Sequence, residues 1–246
     1  VPPTMVTKLR SRLAMQALLA VRDPACVIDK MQRTPQLRDM QLYLGGGALA
    51  SDDFNRANNA DLGVNWDAGY TGYGALTLES NAVRLTALDT TAVESYNAVS
   101  LPNNQWVQMT LATIAGTVAN YPAVRLRMAA PPTNTWYQYV AEINDATKKS
   151  TIAKIVAGTY TLLASENATV WASGDVIRGE AVDSAIALYR NGSQTALLTV
   201  TDSSVASGRA GIGSYMSPGG TLSNSVYYNW SAGPSTLSRL AAMGMG

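Results

Sequence analysis

Cutting a glycosidic bond takes two carboxylates that flank it, one acting as acid and the other as nucleophile or base. Two pairs of acidic residues stand close together near strand ends, Glu142 with Asp145 and Glu180 with Asp183. Members of each pair stand three apart where an alternating stretch runs into a turn, so they fall on opposite sides of the backbone. Neither pair is suited to catalysis. The 246 residues include no histidine, which excludes Ser-His and Cys-His nucleophiles and His-metal sites. Cys26 is the sole cysteine, so there is no intrachain disulfide framework. Asp52, Asp53 and Asp202 are the right residue type for calcium, but three carboxylates fall short of its roughly six to eight oxygens. The chain therefore reads as non-enzymatic, with no catalytic residue, no metal site and no cofactor.

Binding chemistry is better represented. A sugar site asks for an aromatic face beside amide and charged groups. Alternation over residues 135–144 places Trp136, Gln138, Val140 and Glu142 on one side, against Tyr137, Tyr139, Ala141 and Ile143 on the other. Over residues 123–128 it places Val124, Leu126 and Met128 inward, with Arg125 and Arg127 outward. Arg125, Arg127, Trp136, Gln138 and Glu142 are thus the candidate glycan-binding residues, on the outer, concave face of one sheet. Arg178 and Glu180 are candidates for the same face. Cross-strand Arg–Glu pairing explains the charged members without any ligand. Asn167, Asn191 and Asn229 each begin a glycosylation tripeptide, a match that arises readily in polar turns.

These residues sit on elements of period two. From Ser51 onward about a dozen strands follow one another at intervals of roughly 8–12 residues, with turn residues between them and no helical pattern. Ser80-Asn81, Gly158 and Asn191-Gly192 mark hairpins, the last being the strongest such signal in the chain. Apolar residues make up 47%, enough for a sizeable core, whereas charged residues are only 14%. So sparse a surface charge favours association. The reading is an all-β, antiparallel jelly-roll sandwich over residues 48–233, with a tail over 234–246.

In front of it lies a segment of different character, residues 1–47. Its first 40 residues carry seven basic and three acidic side chains, a net +4, against −3 for the remainder. Thr4 or Thr7 caps a predicted helix over 6–21, which Pro24 ends; a weaker helix is predicted over 29–43, and Gly45-Gly46-Gly47 reads as a hinge. Residues 8–21 have the charge-then-apolar order of a signal peptide. The apolar run is short, contains Gln16 and lacks a small-x-small site, so the segment is read as a retained, partly helical N-terminal arm. The arm has too few large apolar residues to fold alone, so it packs back on its own sandwich or grips neighbours. Leu9, Arg10, Arg12, Leu13, Arg22 and Arg38 are its candidate partner-binding residues. Four scattered excess charges do not make a nucleic-acid surface, and no run of 18 apolar residues spans a membrane.

The stretch DDFNRANNADLGVNW resembles the D-x-F-x-R…L-G-x-x-W opening of concanavalin-like (laminin-G/glucanase-type) jelly-roll modules. The resemblance continues through AVRLRM, WYQYVAEI, IVAGTYTLLAS, ASGDVIRGEAV, AIALYRNG and ASGRAGIGSY, and closes at SVYYNWSAG, where such modules usually carry an aspartate-phenylalanine pair. It covers about residues 51–233. It implies that the first and last strands are neighbours, that Phe54 packs near Trp230, and that Arg209 contacts backbone carbonyls. Modules with a long N-terminal extension of this kind are similar to those of tailed-bacteriophage structural proteins. On that likeness the expected role is capsid decoration or cement in the virion, with the arm on other virion proteins and the chain a homo-oligomer such as a trimer. The alternative is a tail-associated structural or glycan-binding receptor module.

Overall fold

Strict alternation of apolar and polar residues forces a strand to bury one face. The computed structural model, which describes residues 47–235, shows fifteen strands arranged on that principle. In chain order they are β1 (Ala50–Asp52), β2 (Trp66–Asp67), β3 (Leu76–Leu78), β4 (Val83–Leu85), β5 (Ala92–Tyr96), β6 (Gln105–Ile114), β7 (Ala123–Met128), β8 (Trp136–Ala141), β9 (Ser150–Val156), β10 (Thr159–Glu166), β11 (Val176–Val182), β12 (Ala185–Arg190), β13 (Leu198–Thr201), β14 (Arg209–Ser214) and β15 (Ser225–Pro234). A single 3-10 turn at Leu222–Asn224 is the helical content of the described residues. The predicted helices, the hinge glycines Gly45 and Gly46, the arm residues Leu9, Arg10, Arg12, Leu13, Arg22 and Arg38, and residues 236–246 lie outside the described residues.

The strands form two antiparallel sheets. One runs β13-β12-β11-β6-β15-β4-β3, with β1 added along β15; the other runs β10-β9-β8-β7-β14-β5-β2. Asp52 stands opposite Trp230, so the first and last strands are neighbours. Between the sheets, Val107, Met109 and Leu111 of β6 meet Val124 and Leu126 of β7 and Tyr137, Tyr139 and Ala141 of β8. Tyr139 crosses the sandwich and donates to the Glu180 carbonyl at 3.0 Å. Its ring lies where a Cβ on Gly179 would stand, 2.6 Å from Cε2, so only glycine fits there.

The opening stretch forms a corner around one carboxylate. Asp52 accepts from the Phe54 amide at 2.8 Å, the Trp66 indole at 2.9 Å and the Arg56 guanidinium at 2.6 Å. Phe54 reaches Trp230 through Trp66, with ring centroids 5.7 Å and 4.9 Å apart.

Turn chemistry accounts for two predicted hairpins. Ser80 and Asn81 (φ 54° and 60°) join β3 to β4, and Ala157 and Gly158 (φ 48° and 82°) join β9 to β10; paired positive φ values match the twist of the flanking strands. The Asn191-Gly192 hairpin differs from expectation. Both residues have positive φ, but β12 and β13 pair only from Leu188 and Leu198, leaving a wider loop. The Asn191 side chain is engaged elsewhere, donating to Asp175 at 2.7 Å and accepting from the Val176 amide at 2.7 Å.

A second departure lies in β7. Arg125 pairs with Gly211 and Met128 with Arg209, so Leu126 and Arg127 together oppose Ala210, a bulge with Arg127 at φ 53°. The extra residue inverts the pattern beyond it. Arg127 turns inward and donates to the carbonyls of Asn103 (2.9 Å) and Val205 (3.0 Å), while Met128 turns outward. Arg209, expected on carbonyls, instead pairs with the Asp67 carboxylate.

One acid sits on the wrong side of its strand. Glu94 of β5 is buried, accepts from the Leu76 amide at 2.7 Å, and is pushed by burial from 4.5 to about 7. A raised carboxyl pKa means that the folded state holds the proton more tightly. The associated stability is full below about pH 4.5 and is lost as pH rises through about 7. Glu94→Gln is therefore expected to stabilise the protein at pH 8 by on the order of 3 kcal/mol, and by much less at pH 4.5. Urea unfolding at the two pH values checks this; an equal gain at both would contradict it.

Candidate functional site

The outward face of the β10–β2 sheet begins with a tryptophan that is not on the surface. Trp136 is fully buried in a cluster with Tyr70, Val93, Met128 and Ile155. Residues 68–74 fold across it, setting Tyr70 and Tyr73 edge-on to its ring, each 5.3 Å away. Tyr70 donates to the Ala129 carbonyl at 2.8 Å and Asn134 to the Thr71 carbonyl at 2.7 Å, which ties this loop down. Trp136 thus supports the face from beneath.

Arg125 lies next to this cluster, 2% exposed, with Cζ 5.6 Å from the Trp136 ring centroid. Its guanidinium crosses Gly213 of β14, where any Cβ would collide with Nη1 and Cζ. Two of its nitrogens, Nε and Nη1, have no hydrogen-bond partner among the described residues. Desolvation pulls its pKa down to about 10, which leaves it a cation at neutral pH.

Beyond Arg125 the face opens into a cavity of about 300 Å³, the size at which small-molecule sites begin. Its floor is Arg125, Gln138, Ala123, Val140 and Glu142, and its rim carries Tyr121, Tyr215, Tyr160, Lys148 and Thr91. Tyr121 and Tyr215 stack at 5.6 Å and 22°. Tyr160, at the start of β10, is 52% exposed. Glu142 accepts from the Thr151 hydroxyl at 2.9 Å, and burial raises its pKa.

The turn after β8 positions the rim. Asp145 accepts from the Thr147 amide (2.7 Å), the Lys148 amide (3.0 Å) and the Tyr121 hydroxyl (3.1 Å). Those bonds, the Thr147 amide first, hold its carboxyl well below the usual range. Asp145 thus fixes Tyr121 and Lys148 together.

Of the candidate glycan-binding residues, the structure gathers Arg125, Gln138 and Glu142 around one cavity. It buries Trp136 behind them and turns Arg127 inward. Arg178 and Glu180 belong to the other sheet, on β11 opposite Gln108 and Trp106 of β6. They pair with each other at 3.7 Å along the one strand, two residues apart, rather than across strands, and Arg178 covers the Trp106 ring at 4.2 Å. Asp202 is held by Lys154 at 2.6 Å and by the Tyr137 hydroxyl at 2.6 Å, whereas Asp52 is held by Phe54, Arg56 and Trp66, so the two share none of these partners. Among the described residues no group of three acidic or cysteine side chains converges as metal ligands would. Among the described residues one carboxylate, Glu142, lines the cavity.

Sequence reasoning missed Tyr121, Tyr160, Tyr215, Lys148 and Gly213. The tyrosines and the lysine come from three separate connections and one strand start, and only the fold brings them together. Gly213 did carry a signal. Gly211 and Gly213 alternate along β14, which empties one face of a strand and leaves room for a long neighbour.

No family model matches this sequence, and no curated protein is significantly similar to it. Solved structures do share the fold. Carbohydrate-binding module CBM66 from Bacillus subtilis is similar over 68% of this chain and 92% of its own, with 10% identity and a TM-score of 0.52. A Bacillus subtilis protein of unknown function with a galectin-like fold is similar over 76% and 95%, at 11% identity and TM-score 0.54. The exoplasmic/lumenal domain of VIP36 is similar over 76% and 92%, at 13% identity and TM-score 0.51. At such identities the likeness is one of fold. It agrees with the jelly-roll fold that the resemblance implies, and nothing in it links this chain to phage structural proteins.

Proposed function

We propose that the sandwich is a carbohydrate-binding module and that the cavity on the outward face of the β10–β2 sheet is its glycan site. The observation that carries this reading is the combination in one cavity of the exposed Tyr160 and the half-buried Tyr121 and Tyr215 with amide, carboxylate and guanidinium groups. Sugars present apolar C–H faces and rings of hydroxyls, and this lining offers a partner for each. The likeness of the fold to a carbohydrate-binding module and to galectin-like proteins supports the reading. A single lining carboxylate favours binding over hydrolysis. Virion decoration and homo-oligomeric assembly rest on the N-terminal arm and draw no support from the cavity.

A glycan array probed with the full chain tests the proposal. We expect specific hits, with Tyr160→Ala and Gln138→Ala each weakening them by about tenfold or more. Both positions are partly solvent-facing, so unfolding free energy should change by no more than about 1 kcal/mol. An array without hits, or hits that both variants retain in full, would defeat it.

A further inference from the structure

The most unusual group on this face is Arg125. Burying a cation without an anionic partner is among the costlier arrangements that a fold can hold. The Trp136 ring face offsets part of that cost, yet Nε and Nη1 remain without acceptors among the described residues. The fold also reserves space for the guanidinium by keeping Gly213 beneath it. Glu142 lines the same cavity but is occupied by the Thr151 hydroxyl, and Lys148 on the rim adds a second cation. The missing partner is an anion supplied from outside.

We propose that the cavity takes a sugar bearing a carboxylate, an inference that rests on the glycan-binding reading above. The carboxylate meets Arg125, the ring lies against Tyr160, and the hydroxyls bond to Gln138 and Glu142. A small inorganic anion would leave the tyrosines unused. A neutral sugar would leave a buried charge without a counter-charge.

The test uses the full chain and matched pairs that differ at the acidic group: glucuronate and galacturonate oligosaccharides against their glucose and galactose counterparts, and sialyllactose against lactose. Calorimetric titration is expected to show at least one acidic member bound about tenfold or more tighter than its neutral partner. The pair concerned tells uronic from sialic acid. Arg125→Met should erase that preference, so that the acidic and neutral members of the pair bind the variant equally to within about threefold. If the variant does not fold, wild-type salt dependence replaces it: rising NaCl should weaken the acidic member alone. Neutral sugars bound as well as acidic ones would overturn this inference and leave the glycan reading standing. No sugar bound at all would overturn both. A preference that survives in Arg125→Met would overturn the role given to Arg125.

Discussion

Trp136→Ala is expected to lower the unfolding free energy by about 3–5 kcal/mol, the range for deleting a large aromatic side chain from a packed interior. The ring has no exposed surface, and Tyr70, Tyr73, Met128, Val93 and Ile155 close around it. Its loss would open a cavity that these neighbours fill only in part, because Tyr70 and the 68–74 loop are tied to Ala129 and Asn134. For a domain of this size the expected fall in melting temperature is roughly 6–20 °C. A thermal melt of the variant checks it. A surface platform for sugar would behave otherwise, with binding lost and stability unchanged. That outcome would mean that Trp136 lies in the open.

The second large effect is expected at Gly213. Its Cα faces the Arg125 guanidinium on one side, and an added Cβ would also stand 2.5 Å from the Ala92 carbonyl of the adjacent strand. Gly213→Ala should therefore expel Arg125 from its place over β14, strain the β14–β5 pairing, and cost about 1–3 kcal/mol by overpacking. Glycan affinity should fall by more than about tenfold, because the displaced guanidinium no longer lines the floor. A double-mutant cycle gives the sharper result. With Arg125→Met in the background, Gly213→Ala should cost measurably less stability, since much of the collision is removed. Additive losses would show that the two residues do not share the space.

How far the chain could be read from its sequence varies element by element. Residues 136–143 alternate without interruption, so the outward placement of Gln138 and Glu142 was legible directly. The same rule held for β7 only as far as Leu126. The bulge that turns Arg127 inward is a matter of pairing with Ala210, and nothing local to AVRLRM announces it. Trp136 points outward as alternation requires, but outward is not exposed. A loop about 65 residues earlier in the chain buries it, and periodicity carries no information about loops that fold back. Asn191-Gly192 made its turn but not a tight hairpin, because Asp175 competes for the asparagine side chain. The cavity rim was illegible for the same general reason: Tyr121, Lys148, Tyr160 and Tyr215 are brought together by topology.

The central claim is the location of the glycan site on the outward face of β7, β8 and β14. Titrating the isotopically labelled full chain with the best-bound array glycan, and following backbone amide shifts by NMR, addresses it directly. The account predicts that the shifted amides cluster at residues 121–125, 138–148 and 213–215, and at Tyr160. Shifts confined to the outward face of β6 and β11, around Gln108 and Arg178, would contradict it.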